Sequence, residues 1–458
     1  MKLCAARLSA LFLTTGLFAA HAADWPGFLG PQGDGTSPET GLLDAFPAGG
    51  PTILWQTNIG TGYSAPSVRA GQLVLFHRLG DQEVVEAFDA ATGKPRWRHG
   101  YPTAYIDPFG YNNGPRCAPL LTTNRCYTFG AEGKLTCLDL ASGRQLWQRD
   151  TAKDFTVPEA FFGVGSAPLL EGNLLITMIG GQTNSGMVAF HAETGATVWE
   201  SVGAGNWTDQ PMHGWPGERT VNWRNWDKQA SYSSPGAATI HGRRVVFCLM
   251  RQGLVALDPV TGEVFDSFWF RAQIEESVNA INPVVSGDRI FISAAYYRVG
   301  SLVLELTKEF KFQEVWRSPT ERGQPPNLEL HWTTPILHNG HLYAFSGRNE
   351  PDATFRCVEF ATGKLKWERD ESWQRRRSGP PPNTFGRGSA ILADGKLIAL
   401  GEAGLLGLFQ PNPERLEELA RWQVPEMRYP CWAGPVLADQ RVYLRSEDRL
   451  VCLDFARR

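Results

Sequence analysis

The sequence predicts an all-β chain closed into an eight-bladed β-propeller of four-stranded antiparallel blades, and three observations predict it. A phrase recurs at a period of about fifty residues: an apolar strand, an Asp or a substitute, Thr-Gly, then a Trp. A second marker, a small residue followed by Pro, recurs between copies of the first. The composition, with 48 Gly, 31 Pro and 16 Trp, suits many short strands separated by turns.

The phrase reads Val85-Glu86-Ala87-Phe88-Asp89, Thr92-Gly93, Trp97, and returns as Leu135-Thr136-Cys137-Leu138-Asp139, Ser142-Gly143, Trp147. Further copies end in Thr194-Gly195 and Trp199, in Thr261-Gly262 and Phe265, and in Thr362-Gly363 and Trp367. Glycine supplies the positive-φ position of each turn, and the Asp or Thr side chain bonds the turn backbone. The Trp then covers a neighbouring blade with a large apolar surface. Asp89, Asp139, Asp258 and Asp454 are therefore turn formers and not acids for catalysis. The fifth and seventh copies are degenerate: Leu304-Glu305-Leu306-Thr307 leads to Trp316 with no Thr-Gly.

The small-Pro marker gives the count. Ala65-Pro66, Ala118-Pro119, Ala167-Pro168, Ser234-Pro235, Asn282-Pro283, Thr334-Pro335 and Gly434-Pro435 stand at seven positions, and Ala390-Ile391 fills the eighth. Proline is tolerated there because the first residue of a strand needs no ladder donor. The Trp series Trp55, Trp97, Trp147, Trp199, Phe265 (or Trp269), Trp316, Trp367 and Trp422 also counts eight. Trp55 precedes the first Ala-Pro, and the last copy, Leu450-Val451-Cys452-Leu453-Asp454, has no Trp after it. The strand Ile53-Leu54-Trp55 is thus expected to complete the last blade and remove the free edges.

Met1-Lys2-Leu3-Cys4-Ala5-Ala6-Arg7, an apolar run from Leu8 to Ala20, and Ala20-His21-Ala22 have the form of a secretory leader cleaved near Ala22. The run is too short to span a bilayer. The chain divides into this leader at 1–22, a lead-in at 23–50 and the propeller at 51–458, and a periplasmic or secreted monomer with no membrane span is expected. Net charge is −3, and −5 once Lys2 and Arg7 leave with the leader, without the basic footprint that nucleic-acid binding needs. Of the eight cysteines, Cys137, Cys357 and Cys452 fall where other copies carry Ala, and Cys126 falls on an apolar strand position. These read as small core residues. Cys117 and Cys431 remain candidates for a disulfide or a functional thiol.

The Ala-x-Asp-x-x-Thr-Gly-x-x-x-Trp repeat resembles the quinoprotein (pyrroloquinoline quinone, PQQ-like) propeller repeat over nearly all of the mature chain. The start, Asp24-Trp25-Pro26-Gly27-Phe28-Leu29-Gly30-Pro31, is similar to the lead-in of exported PQQ-like repeat proteins. The resemblance implies eight blades and two functional branches. Quinoprotein alcohol dehydrogenases hold PQQ against a Trp and a vicinal Cys-Cys disulfide, ligate Ca²⁺ with Glu, Asn and Asp, and use an Asp as base. This chain has no adjacent cysteines, and none of those residues is carried over to it. In the BamB-like branch the same propeller binds proteins without a cofactor, although this chain lacks that group's lipoprotein cysteine. The reading is therefore a cofactor-free exported propeller that binds a protein or polymer through its loop-rich face. The alternative is a PQQ- and calcium-dependent oxidoreductase acting on alcohol or sugar hydroxyls.

A site is expected on the links between each Trp and the next inner strand, which share one face in a propeller. They run 22 positions from Trp97 to Pro119, 36 from Trp199 to Pro235 and 24 from Trp367 to Ile391, where a hairpin needs far fewer. The longest carries Trp207, Trp215, Trp223 and Trp226 among polar residues, either a stacking platform for a ring or a cap on blade four. Tyr63, Arg116, Tyr232, Asn279, His331, Trp332, Arg387, Arg428, Tyr429 and Trp432 stand just before inner strands and are expected at the channel mouth, with Glu159, Glu276 and Glu329 nearby. The mixture suits an anionic or polyol ligand, or a funnel whose Arg and Glu pair with each other. His331 has no second His at ligand spacing and is not expected to bind metal. Arg375-Arg376-Arg377 reads as a solvated basic loop.

Overall fold

The computed structural model describes residues 23–158, 162–207, 230–272, 277–319, 324–374 and 379–458. The expected leader, Glu159, Trp215, Trp223, Trp226, Glu276 and Arg375 to Arg377 lie outside the described residues.

Eight antiparallel four-stranded sheets follow one another along the described chain. Blade one spans 67–102, blade two 120–150, blade three 169–201, blade four 236–269, blade five 284–317, blade six 336–370 and blade seven 389–423. Blade eight spans 436–454 and is completed by Ile53–Asn58, which pairs antiparallel with Arg449–Asp454 in the register Trp55 opposite Cys452. The ring is closed as the sequence implies. The second and third strands of each blade are packed between neighbouring blades on both faces, so Gln72–Leu79 and Gln82–Asp89 are almost continuously buried. The outer strands alternate, as in Ile53–Asn58, because one face of each meets solvent.

The repeated phrase builds the joint between blades. Asp89 accepts bonds from the Thr92 N–H (2.9 Å) and hydroxyl (2.8 Å), holding a turn in which Gly93 has φ +69°. The indole of Trp55 sits on that glycine, and its Nε1 donates to Ala90 O at 3.0 Å. The same joint recurs with Trp97 donating to Leu140 O, Trp147 to Ala192 O, Trp199 to Pro259 O and Trp316 to Phe360 O, at 2.9–3.0 Å. At each of these turns a Cβ on the glycine would lie under 3 Å from the ring of the preceding blade's Trp. The glycine therefore serves twice, as the left-handed residue of its own turn and as the floor under its neighbour's indole.

The irregular fourth and fifth copies are explained by the same joint. Blade five has no glycine turn, and blade four offers Phe265 in place of Trp; the two meet as Phe265 against Phe310, ring centroids 5.2 Å apart. The missing Trp and the missing Gly are thus two sides of one interface. At the seam, the turn glycine comes from the lead-in. Gly50 (φ +82°) takes that place beneath Trp422, and the Asp454 N–H donates to Thr52 O at 2.8 Å.

The lead-in is part of the fold. Trp25 exchanges backbone bonds with Val68 of blade one, and Pro26 O accepts from Leu121 of blade two. Gly35 O accepts from Leu392, and Thr36–Ser37 pairs parallel with Ser389–Ala393 of blade seven. Gly35 also lies against Ile336 of blade six. Blades two and six face each other across an eight-membered ring, so the segment between Pro26 and Gly35 crosses the end of the channel. Glu39 then anchors on the Asp439 and Gln440 N–H groups of blade eight at 2.7 and 2.6 Å. Phe28, midway along the crossing, lines the cavity that opens on the other face. The channel is blind.

The seven described cysteines are buried and unbridged. Cys137, Cys357 and Cys452 are fully buried on core strands. Burial pushes the Cys117 and Cys431 thiols well up, which removes thiolate reactivity at neutral pH.

The double role of the glycine gives a paired test. Gly71 has φ +70° but nothing near its Cβ position, so Gly71→Ala should cost only the left-handed backbone term, about 1 kcal/mol. Gly93→Ala adds the collision with Trp55 and should cost about 2–4 kcal/mol in denaturant unfolding.

Candidate functional site

The links from each outer strand to the next inner strand end at one mouth of the channel. There they wall a cavity of ≈ 240 Å³ whose floor carries Phe28. Of the residues expected there, Tyr63, Arg116, Tyr232, His331, Trp332, Arg387, Tyr429 and Trp432 line it. Tyr111, Phe162, Tyr296, Asp107 and Glu350 join them from neighbouring loops. Sequence reading missed these because they sit before or after the expected positions; the length of the 97–119 link was the one signal for Tyr111.

Aromatic rings run almost continuously around the wall. Tyr232 meets Phe162 (5.3 Å between centroids), Phe162 meets Tyr111 (5.8 Å), and Tyr111 meets Trp432 (5.6 Å). Trp432 contacts Tyr63 (5.0 Å) and Trp332 (5.4 Å), and His331 bridges Trp332 (4.8 Å) to Tyr296 (5.2 Å). Such offset and edge contacts fix the rings beyond what burial alone achieves.

Buried charges hold this wall in place. Glu402 is fully buried; its Oε1 accepts from Arg387 Nη2 (3.0 Å) and Trp432 Nε1 (2.9 Å), and its Oε2 accepts from the Arg387 N–H (2.9 Å) and Trp373 Nε1 (3.2 Å). Arg387 also reaches Glu350 at 3.0 Å and lies 4.7 Å from the Trp332 ring centre. Gly386 (φ +65°) lets the chain pass, since a Cβ there would press on Glu402. Across the cavity Asp107 organises the 105–116 loop: Oδ1 accepts the Phe109 (2.9 Å) and Tyr111 (3.2 Å) N–H groups, and Oδ2 accepts Arg116 (2.8 Å). Beneath Tyr63, Arg445 is buried without a carboxylate and donates to the carbonyls of Gly60 (3.1 Å) and Ser64 (2.8 Å). Burial lowers its pKa to about 10, so it remains a cation.

Burial and the Arg387 and Arg348 charges push His331 down to about 3, leaving a neutral imidazole beside the Tyr296 hydroxyl (3.2 Å). Burial raises Tyr63 well above the usual phenol range and Tyr296 to about 12, so both hydroxyls stay protonated.

Four of the expected residues lie elsewhere. Asn279 is fully buried, with its amide donating to Met250 O (2.7 Å) and Phe270 O (3.0 Å), where it pins loops. Trp207 is buried in the core between blades three and four, 6.4 Å from Trp269, and there it is a packing residue. Arg428 is exposed, and neither it nor Glu329 is on the described wall.

The described residues of the wall do not fit a quinone held with calcium. Asp107, Glu350 and Glu402 are each committed to an arginine, and Glu402 to two indoles as well. Among the described residues no three His, Cys, Asp or Glu side chains converge to hold an ion.

Residues 80–369, well over half of the chain, match the family model described as outer membrane protein assembly factor BamB. A curated relative, the outer membrane protein assembly factor BamB of Shewanella oneidensis, is 28% identical over 159 residues. That match spans 32% of this chain and 36% of the relative, about a third of its length. Among solved structures, BamB from Moraxella catarrhalis superposes with a TM-score of 0.54 at 15% identity, covering 89% of this chain and 98% of that one. A europium-containing methanol dehydrogenase gives 0.62 at 12% identity over 92% and 89% of the chains. The quinohemoprotein alcohol dehydrogenase of Comamonas testosteroni gives 0.61 at 14% identity, over 94% and 80%. These structural likenesses carry the fold alone.

Two measurements test the wall. Glu402→Ala leaves Arg387 and two indoles without their acceptor and should cost about 3–5 kcal/mol in denaturant unfolding, with a red shift of Trp432 emission. His331 binds its proton more weakly folded than unfolded, so its contribution is complete above about pH 6.5 and erodes as pH falls toward 3. His331→Asn should flatten the acid limb of the stability profile in that window, by at most about 1.4 kcal/mol per pH unit. The propeller repeat, the ring of eight blades and the family model agree: this chain belongs to the family of the outer membrane protein assembly factor BamB.

Proposed function

We propose that the chain is an exported binding propeller that captures a protein or polymer through its loop-rich face, without catalysis. The observation that carries this reading is the blind cavity. Its aromatic walls are rigid, its floor is the protein's own N-terminal segment, and its carboxylates are spent on holding rings and arginines. Such a construction favours recognition over proton transfer, which needs a carboxylate or imidazole free to exchange its proton. The family's printed description, an assembly factor, supports the same reading. The rim beside the mouth is apolar: Ile106 is 74% exposed and Phe109 56%, and Phe109 lies 5.1 Å from Phe162 of the cavity wall. Exposed apolar side chains next to a pocket suit a docking surface.

The test uses the immobilised protein and an envelope extract. A species held by the wild type and by Val260→Asp, a turn variant outside this rim, should fall at least tenfold on the Ile106→Asp/Phe109→Asp variant. Equal retention on all three would contradict the reading, as would dye reduction with simple alcohols after addition of PQQ and Ca²⁺.

A further inference from the structure

We propose that the central cavity is a subsite for a single neutral saccharide ring. The inference rests on the binding role of this face and names the chemistry that the cavity takes.

Size comes first. At ≈ 240 Å³ the cavity falls just below the ~300–1,000 Å³ of pockets for drug-sized ligands. The Phe28 floor closes its far end, so a ligand enters from the loop face only. One ring fits, as the end or a branch of a longer chain that continues into solvent.

Charge comes second. Arg116 is paired with Asp107, and Arg387 with Glu350 and Glu402. An anion would have to draw these guanidinium groups away from buried carboxylates. A cation would meet ring faces that already carry the protein's own cations: Arg387 over Trp332 at 4.7 Å, Arg348 over Tyr296 at 4.7 Å, Arg116 over Tyr63 at 5.7 Å. The anionic half of the sequence expectation therefore loses its footing, and the polyol half keeps it.

Wall composition comes third. An anchor pocket for an apolar protein side chain would be built from Leu, Ile and Met. Among the described lining residues none of these occurs, and Val278 is the one branched aliphatic. What lines the wall instead is flat and electron-rich: Tyr63, Tyr111, Trp332 and Trp432. A pyranose presents a face of weakly positive C–H bonds that packs on such rings, and a rim of hydroxyls that both donate and accept. Arg116 and Arg387, fixed on their carboxylates at the cavity wall, offer those hydroxyls donors of set direction.

The test is calorimetric titration of the purified protein with the methyl glycosides of glucose, galactose and N-acetylglucosamine. The anions glucuronate and glucose 6-phosphate, and the aromatic probe N-acetyltryptophanamide, are titrated alongside. At least one neutral glycoside should saturate the protein and raise its Tm, and both anions should bind at least tenfold more weakly than that glycoside. Ala280→Trp, which fills the cavity from a partly exposed position, should cut the affinity at least tenfold at unchanged Tm. If that variant lowers Tm, Phe28→Ala, which alters the floor from outside the blades, should still weaken binding at least threefold. No heat with any neutral glycoside, tighter binding of the anions, or binding that survives in the variants would overturn the saccharide site. Binding of N-acetyltryptophanamide alone would also overturn it while leaving a protein-docking face, a failure separable from that of the rim variant above.

Discussion

The ring depends on one contact: an indole at the end of one blade's outer strand, seated on a left-handed glycine in the next blade's turn. Its Nε1 is held by a carbonyl three residues before that glycine, as for Trp55 on Gly93 with Ala90 O. The contact is apolar, directional and sterically exclusive, so it sets both the spacing and the tilt between neighbours. Because Trp55 comes from the N-terminal strand and Gly93 from blade one, the same contact also locks the seam. Between blades four and five both partners are replaced, by Phe265 and Phe310.

A rigid ring lets the loops build a site. Glu402, Asp107 and Arg445 are buried polar groups, each satisfied by several partners from different segments. Such networks are costly when half made and rigid when complete. Here they hold Arg387 with Trp432, Arg116 with Tyr111, and the Tyr63 loop, in that order. The lead-in closes the opposite end, so that a fold with a central channel presents a pocket instead of a pore. The family match establishes the scaffold, while the pocket's chemistry belongs to the loops that line it.

The blade count, the seam at Trp55 and the core role of Cys137, Cys357 and Cys452 were legible because each follows from a repeated local pattern. The lead-in was not. Its partners, Val68, Leu121 and Leu392, are distant in sequence, and nothing in a non-repeating segment announces backbone pairing with them. Gly50 escaped notice for a related reason: it completes a turn whose other half lies at the opposite end of the chain. At the site, sequence position told which residues approach the mouth but not which way their side chains turn. Tyr232 and His331 face the cavity, whereas Asn279, in the same kind of link, turns back to two carbonyls. Trp207 looked available because polar residues surround it, yet the chain folds it into the core.

The central claim is that the indole-on-glycine contact at the seam couples the two ends of the ring. Native-state hydrogen exchange on Trp55→Ala tests it most directly. The account predicts that amides in Gln82–Asp89 of blade one and in Arg441–Arg445 of blade eight lose protection together, since both strands lean on the joint that Trp55 makes. Loss of protection confined to Ile53–Asn58, with both neighbours unchanged, would contradict it.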